Sequence, residues 1–234
     1  MISLQNILGG TIRHKPENHA YVLVISSIQG LRNVVKLING NLRTPKINVF
    51  NQLIKWLNDN TDSSLNTNKV DTSYILENAW LSGFIDADRS FDVKVRQKSN
   101  DGKGKNRVET RFRIEQRKTD PKTGQSYYEI LNSIAIALNV SLNISIHNKD
   151  IEYFIISVTS PIKLMVLINY LEKYPLFSSK FLNYSDFRTC VNIMLSGNHL
   201  TSEGRSEILL LKEGMNNKRI HYTWKHLHKL ANYL

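Results

Sequence analysis

Residues Trp80–Phe91, read as WLSGFIDADRSF, constrain this chain more than any other stretch. Apolar Leu76, Trp80, Leu81, Phe84 and Ile85 recur at three- and four-residue spacing, which predicts a helix running in from about Ser73. Asp86 and Asp88 arrive together where that pattern stops. A helix C-terminus carries partial negative charge from its unpaired carbonyls, so a carboxylate there is disfavoured by ~0.3–1 kcal/mol. A divalent cation or a cluster of basic side chains has to compensate. Gly83 and Ala87 are four apart and share one helix face, a stripe without bulk that another backbone can approach. Glycine inside a helix costs about 1 kcal/mol relative to alanine, so its presence calls for a packing reason.

LSGFIDADR resembles the LAGLIDADG motif of homing endonucleases and intron maturases, matching at Leu81, Gly83, Ile85, Asp86, Ala87 and Asp88. The resemblance implies that two such helices pack through their small faces, here Gly83 and Ala87. It implies that Asp88, with the carbonyl of Ala87, holds Mg²⁺ or a similar divalent cation used to cut double-stranded DNA. It also implies that Gln116 orders water near the scissile phosphate and that Lys180 stabilises transition-state charge. Lys46 is the counterpart of Lys180 in an earlier, partial copy. One position departs: the motif's final glycine is Arg89, and a cation there opposes metal binding. The residues alone leave a second reading, a buried helix whose terminal acids pair with Arg89 and its neighbours. For Lys46 and Lys180 the alternative is a solvated loop cation.

Charge points the same way. The 234 residues carry a net charge of +11, which favours a polyanionic partner. An anionic membrane surface would call for a basic amphipathic helix, and none is evident. No apolar run approaches the ~18 residues of a spanning helix. The N-terminal residues lack the apolar core of a signal peptide. The lone Cys190 rules out an internal disulfide and sits in an apolar stretch, as a buried thiol would. Charge is also uneven: residues 71–88 hold four acids and no Lys or Arg, whereas 89–122 hold twelve basic and five acidic residues.

That basic stretch alternates. In Phe91–Lys98 the apolar Phe91, Val93 and Val95 face one way and Lys94, Arg96 and Lys98 the other. In Val108–Arg117 the apolar Val108, Phe112 and Ile114 lie opposite Arg111, Arg113 and Arg117. With Ser99–Asn106 as the turn, these form a two-stranded ribbon able to enter a major groove, where Arg and Lys reach guanine or phosphate. The alternative is a solvated sheet face with ordinary salt bridges, since Glu109 and Glu115 lie there too.

Beyond the ribbon, Gly124–Leu138 has helical spacing, Val140–Ile146 and Tyr153–Val158 alternate as strands, and Leu164–Leu171 returns to a helix. From residue 73 the order is helix, two strands, helix, two strands, helices. That is an α+β unit, an antiparallel sheet with helices on one face. Residues 1–58 echo the second half of it: strands near Thr11–Arg13 and Tyr21–Ile25, then helices from about Leu31 and over Ile47–Leu57. VVKLINGNLRTPK (34–46) resembles VLINYLEKYPLFSSK (166–180). The chain therefore divides into a partial copy (1–58) lacking its motif helix, a linker (59–71), a complete copy (72–197) and a helical tail (198–234). Two-motif members of the family have this pseudo-symmetric αββαββα layout. The partner helix is expected from an upstream half of the same reading frame or from a second chain. In the tail, His221, His226 and His228 read as surface residues, because no carboxylate or thiol lies at metal-ligand spacing.

The expected function is that of an intron-encoded endonuclease. The alternatives are a maturase that binds its own intron RNA without cutting, and a decayed fragment with neither activity. Asn occurs 25 times and Ile 24, against six Ala, a bias suited to AT-rich coding DNA and hence to a mitochondrial intron.

Overall fold

A computed structural model describes residues 2–18, 20–88, 90–96, 107–147 and 151–230. The chain forms two compact units, Met1–Thr72 and Ser73–Leu234.

The first unit runs α1 (Ile2–Leu8), β1 (Thr11–Lys15), β2 (Ala20–Val24), α2 (Ile28–Ile38) and α3 (Ile47–Asn60). β1 and β2 pair antiparallel from Thr11↔Val24 to Lys15↔Ala20. Gly10 enters β1 at φ +93°, and a Cβ there would meet the Val24 carbonyl at 2.4 Å, so only glycine fits. α2 starts three residues before the apolar periodicity does, because Ser27 caps it by accepting the Gly30 N–H at 3.2 Å. Val35, Phe50, Ile54 and Leu57 form the core. The polar stretch after α3 has no regular structure, yet it is fastened to this unit. Arg32 donates to Ser63 at 2.9 Å, Asn39 to the Asn66 carbonyl at 2.7 Å, and Arg43 pairs with Asp71 at 2.6 Å.

The second unit runs α4 (Trp80–Asp88), β3 (Ser90–Arg96), β4 (Arg107–Arg117), α5 (Tyr128–Ala137), β5 (Asn143–His147), β6 (Ile151–Val158), α6 (Pro161–Lys173), α7 (Lys180–Leu195), α8 (Ser202–Glu213) and the short α9 (Leu227–Leu230). Its four strands make one antiparallel sheet, ordered β3-β4-β6-β5. One sheet face, with Phe91, Phe112, Ile114, Phe154, Ile156 and Val158, is buried against the helices. Phe91 sits at the centre, with the rings of Phe112, Tyr184 and Phe187 at 5.4, 5.7 and 5.1 Å. The order of elements α5-β5-β6-α6-α7 matches α1-β1-β2-α2-α3, so the sequence echo is also a structural one.

Several expectations shift, and β5 begins at Asn143 rather than Val140. α4 begins at Trp80 rather than near Ser73, although Ile75 is buried in the core and Leu76 packs on it without helix. Asn78 stops the helix from extending backwards: its side-chain oxygen accepts the Trp80 N–H at 3.0 Å in an Asx turn. Asn78→Ala is expected to cost about 1 kcal/mol, a Tm loss of ~2–4 °C read by circular dichroism. α5 starts at Tyr128, not Gly124, because Asp120 holds the preceding turn with bonds from the Lys122 and Thr123 N–H groups and the Tyr127 hydroxyl. Finally, His226 is buried, 5% exposed, rather than at the surface. The turn expected at Ser99–Asn106 lies outside the described residues.

Candidate active site and nucleic-acid face

α4 is clamped at both ends. At its start the Tyr170 hydroxyl accepts the Ser82 N–H at 2.9 Å and donates to the Asn78 carbonyl at 2.8 Å, while the Ser82 hydroxyl donates to the Pro175 carbonyl at 3.0 Å. Leu81 and Ile85 are fully buried. On another side, Gly83 and Ala87 are exposed, and a Cβ built on Gly83 meets nothing within 4 Å. The small stripe of α4 is thus an open face, flanked by the stacked rings of Trp80 and Phe84 at 4.9 Å.

At its other end the two acids part company. Asp86 is consumed internally. Its carboxylate accepts the N–H groups of Phe177 and Ser178 at 2.6 and 2.8 Å and the Ser178 hydroxyl at 2.5 Å. Those donors precede α7, and the Ser178 oxygen accepts the Lys180 N–H at 3.1 Å. The latch therefore carries Lys180 to the tip of α4. There its ammonium donates to the Ile85 carbonyl at 3.1 Å, one of the carbonyls a helix end leaves unpaired. A cation at that position also offsets the negative end of the helix dipole. Lys180 is half-buried rather than a solvated loop cation. The charge problem posed by two acids at a helix end is solved, for Asp86, by backbone amides and a hydroxyl 91 and 92 residues away.

Asp88 is the last residue of α4. The placement of its side chain, and the whole of Arg89 and Lys98, lie outside the described residues. As residue types, Asp88 and Ala87 bring oxygen donors, a carboxylate and a carbonyl, and the Ile85 carbonyl is already taken by Lys180. That donor set suits a hard divalent cation that keeps waters and binds substrate phosphate through its remaining positions. Among the described residues no group of three or more His, Cys, Asp or Glu converges as a metal site. Cys190 is no nucleophile: burial pushes its thiol up to about 12.

Gln116 lies in the Phe112/Ile114 register of β4, opposite Phe154, on the helix side of the sheet and away from the arginines. Ser90 pairs with Arg113, so residues 114–117 of β4 run past the start of β3. Aligned with Lys180, Lys46 is exposed and immediately precedes α3, whereas Lys180 is the first residue of α7. Thr44 and Ser178 also correspond in this alignment.

The sheet face turned from the helices is polar. Lys94 and Arg96 are exposed, and Arg111, Arg113 and Arg117 are half-buried beside them. Arg111 pairs with Asp92 across the strands at 2.9 Å, and Arg113 with Glu115 at 2.6 Å. The salt bridges weighed for this ribbon are present, and an arginine held by one carboxylate still has further N–H donors, of the kind that bind a phosphate or base. The register adds residues that charge counting missed. Ser157 lies beside Arg113, Tyr153 beside Arg117, and Ser145 beside Tyr153. His147 packs edge-on against Tyr153 at 4.7 Å and pairs with Glu115 at 2.5 Å. The signal for them was the alternation of β5 and β6, read for polarity instead of charge.

The sequence profile described as LAGLIDADG endonuclease matches residues 81–191. A probable intron-encoded DNA endonuclease, aI1, of Mycosarcoma maydis is 56% identical over 98 residues, 42% of this chain and 81% of that protein. The intron-encoded DNA endonuclease aI3 of Saccharomyces cerevisiae is 28% identical over 92% of this chain, which spans only 59% of the yeast protein's length. Among solved structures, the meganuclease I-SmaMI bound to uncleaveable DNA superposes with a TM-score of 0.70 at 23% identity, over 93% of this chain and 82% of that one.

Proposed function

We propose, since this chain belongs to the LAGLIDADG endonuclease family, that it hydrolyses phosphodiester bonds in double-stranded DNA at a long site, as an intron-encoded enzyme of mitochondria. The observation that carries this reading is the Asp86 latch, which brings the Lys180 ammonium to the helix end occupied by Asp88. Lys180 is suited to stabilise negative charge developing on a phosphate bound there. Gln116, on β4 beyond the start of β3, would hold a water. Asp88 and the Ala87 carbonyl would hold Mg²⁺, which when bound polarises a phosphate oxygen and lowers the pKa of water. Lys94, Arg96, Arg111, Arg113 and Arg117 would hold the duplex, with Ser145, Ser157 and His147 as further hydrogen-bonding groups on the same face. The mitochondrial assignment is supported by the Asn- and Ile-rich composition.

The test is cleavage of a plasmid carrying the joined exon sequence in which the parent intron resides. Linear product that needs Mg²⁺ and vanishes with EDTA is expected. Binding of the intron RNA with no cutting under any divalent ion would replace this reading with the maturase one.

A second motif helix, from the same reading frame or another chain, would pack on the open Gly83/Ala87 face. Gly83→Ala separates the roles of that glycine. In the chain alone, nothing opposes the added methyl, so stability should rise by ~0.5–1 kcal/mol. In the cutting assembly, the methyl would hold the helices apart and slow cleavage about tenfold. A melting curve and a cleavage time course on the same sample decide it. Unchanged cleavage would show that no helix packs there.

A further inference from the structure

After α8 the chain turns back along α7. Met215 is buried in the core, and the Asn216 amide donates to the Phe91 carbonyl at 3.1 Å. Arg219 donates to Asn183 at 3.0 Å and pairs with Asp186. The strap's far end is fixed by His226, whose ring lies parallel to Phe181 at 4.4 Å. Residues 219–226 therefore run from the level of Asp186 to that of Phe181, the neighbour of Lys180.

Between these two anchors the strap buries little. Residues 219–224 have no regular structure, and Ile220, Tyr222 and Trp224 are 79%, 53% and 52% exposed. Three large apolar side chains presented together on one short segment mark an interaction surface. The charge says which kind. Residues 214–234 contain four Lys or Arg and three His, and no acid. Lys218, His221 and Lys225 are exposed around the aromatics. A polyanion with flat apolar faces fits cations interleaved with rings. In a duplex those faces are hidden by stacking, whereas an unpaired strand offers every base to an aromatic ring.

We propose that the strap Lys218–Lys225 binds single-stranded DNA, with Tyr222 and Trp224 stacking on unpaired bases and Lys218 and Lys225 holding the phosphates. The strand is DNA rather than RNA because the strap ends on Phe181, the residue after Lys180, and this part rests on the nuclease reading of that site. An endonuclease that frees or frays a strand end at Lys180 would then retain it on the strap.

The test is fluorescence anisotropy of the full chain, without divalent ions, against labelled dT12, rU12 and a 12-base-pair duplex. Replacing Tyr222 and Trp224 together by Ser should weaken dT12 binding tenfold or more and leave duplex binding within twofold. Replacing both by Phe should keep dT12 binding within threefold, since the phenyl ring also stacks. Matching melting curves for the Ser and Phe pairs exclude unfolding as the cause. Equal losses for dT12 and duplex, no loss for dT12, or a preference for rU12 would overturn the proposal. If the chain cuts no DNA yet shows the aromatic-dependent dT12 binding, the nuclease reading falls and the strap stands.

Discussion

Asp88→Asn is expected to lower DNA cleavage by ~10³-fold or more while changing duplex affinity less than threefold. The physical reason is local. Asn keeps the size and one oxygen of the side chain but removes the charge that would hold a divalent cation. A bound cation supplies several kcal/mol of charge stabilisation at a phosphate, and each 1.36 kcal/mol is a factor of about ten in rate. Binding, on the reading proposed above, resides elsewhere, on the polar face of the β3-β4-β6-β5 sheet, so it should persist. The measurement is single-turnover cleavage with Mg²⁺, paired with duplex binding under Ca²⁺. Because Asp88 ends α4, the substitution also removes a carboxylate from the unfavourable end of a helix dipole. The variant should therefore be no less stable than the parent. A variant that cuts at the parental rate would show that the metal is held by other groups.

The arrangement of the second unit was largely legible before its coordinates. Alternation through Phe91–Arg96 and Val108–Arg117 placed the arginines on one face because a strand's period of two is insensitive to neighbours. The register then paired Asp92 with Arg111, which alternation could not foresee without the turn between them. The start of α4 was misjudged for a physical reason. Ile75 and Leu76 continue the apolar spacing and do reach the core, but they do so through turns, while Asn78 sets the helix start with its side chain. His226 was misplaced because a histidine in a polar tail gives no sign of the Phe181 ring waiting for it. The division of labour between Asp86 and Asp88 lay beyond pattern reading altogether. The two acids are two residues apart at one helix end, and what separates them is a pair of amides brought back by α6 and its following loop.

That division makes a second large effect at Asp86. Asp86→Ala should destabilise the Ser73–Leu234 unit by ~2–3 kcal/mol, a Tm loss of roughly 5–10 °C. The carboxylate is the acceptor for two backbone N–H groups and a hydroxyl, and hydrogen bonds to an ionised acceptor are the stronger kind. Phe177 and Ser178 are half-buried, so water replaces the lost acceptor only in part. The consequence reaches further than stability. Without the latch, the contact between the 177–178 loop and the C-terminal end of α4 is lost while Ser82 still ties the start of the helix to Pro175, so the hold of Lys180 on the Ile85 carbonyl should loosen. Cleavage should therefore fall at temperatures where the variant is still folded. Ser178→Ala removes the hydroxyl's bond to Asp86 and its acceptance of the Lys180 N–H, leaves both amide bonds to Asp86, and should cost ~1–2 kcal/mol with most activity retained. Asp86→Asn belongs between them, since an amide oxygen still accepts but carries no charge. A graded series in Tm, with cutting lost in step, is what a latch predicts. If Asp86→Ala melted with the parent and cut as fast, the contact between Asp86 and the 177–178 loop would not be what positions Lys180.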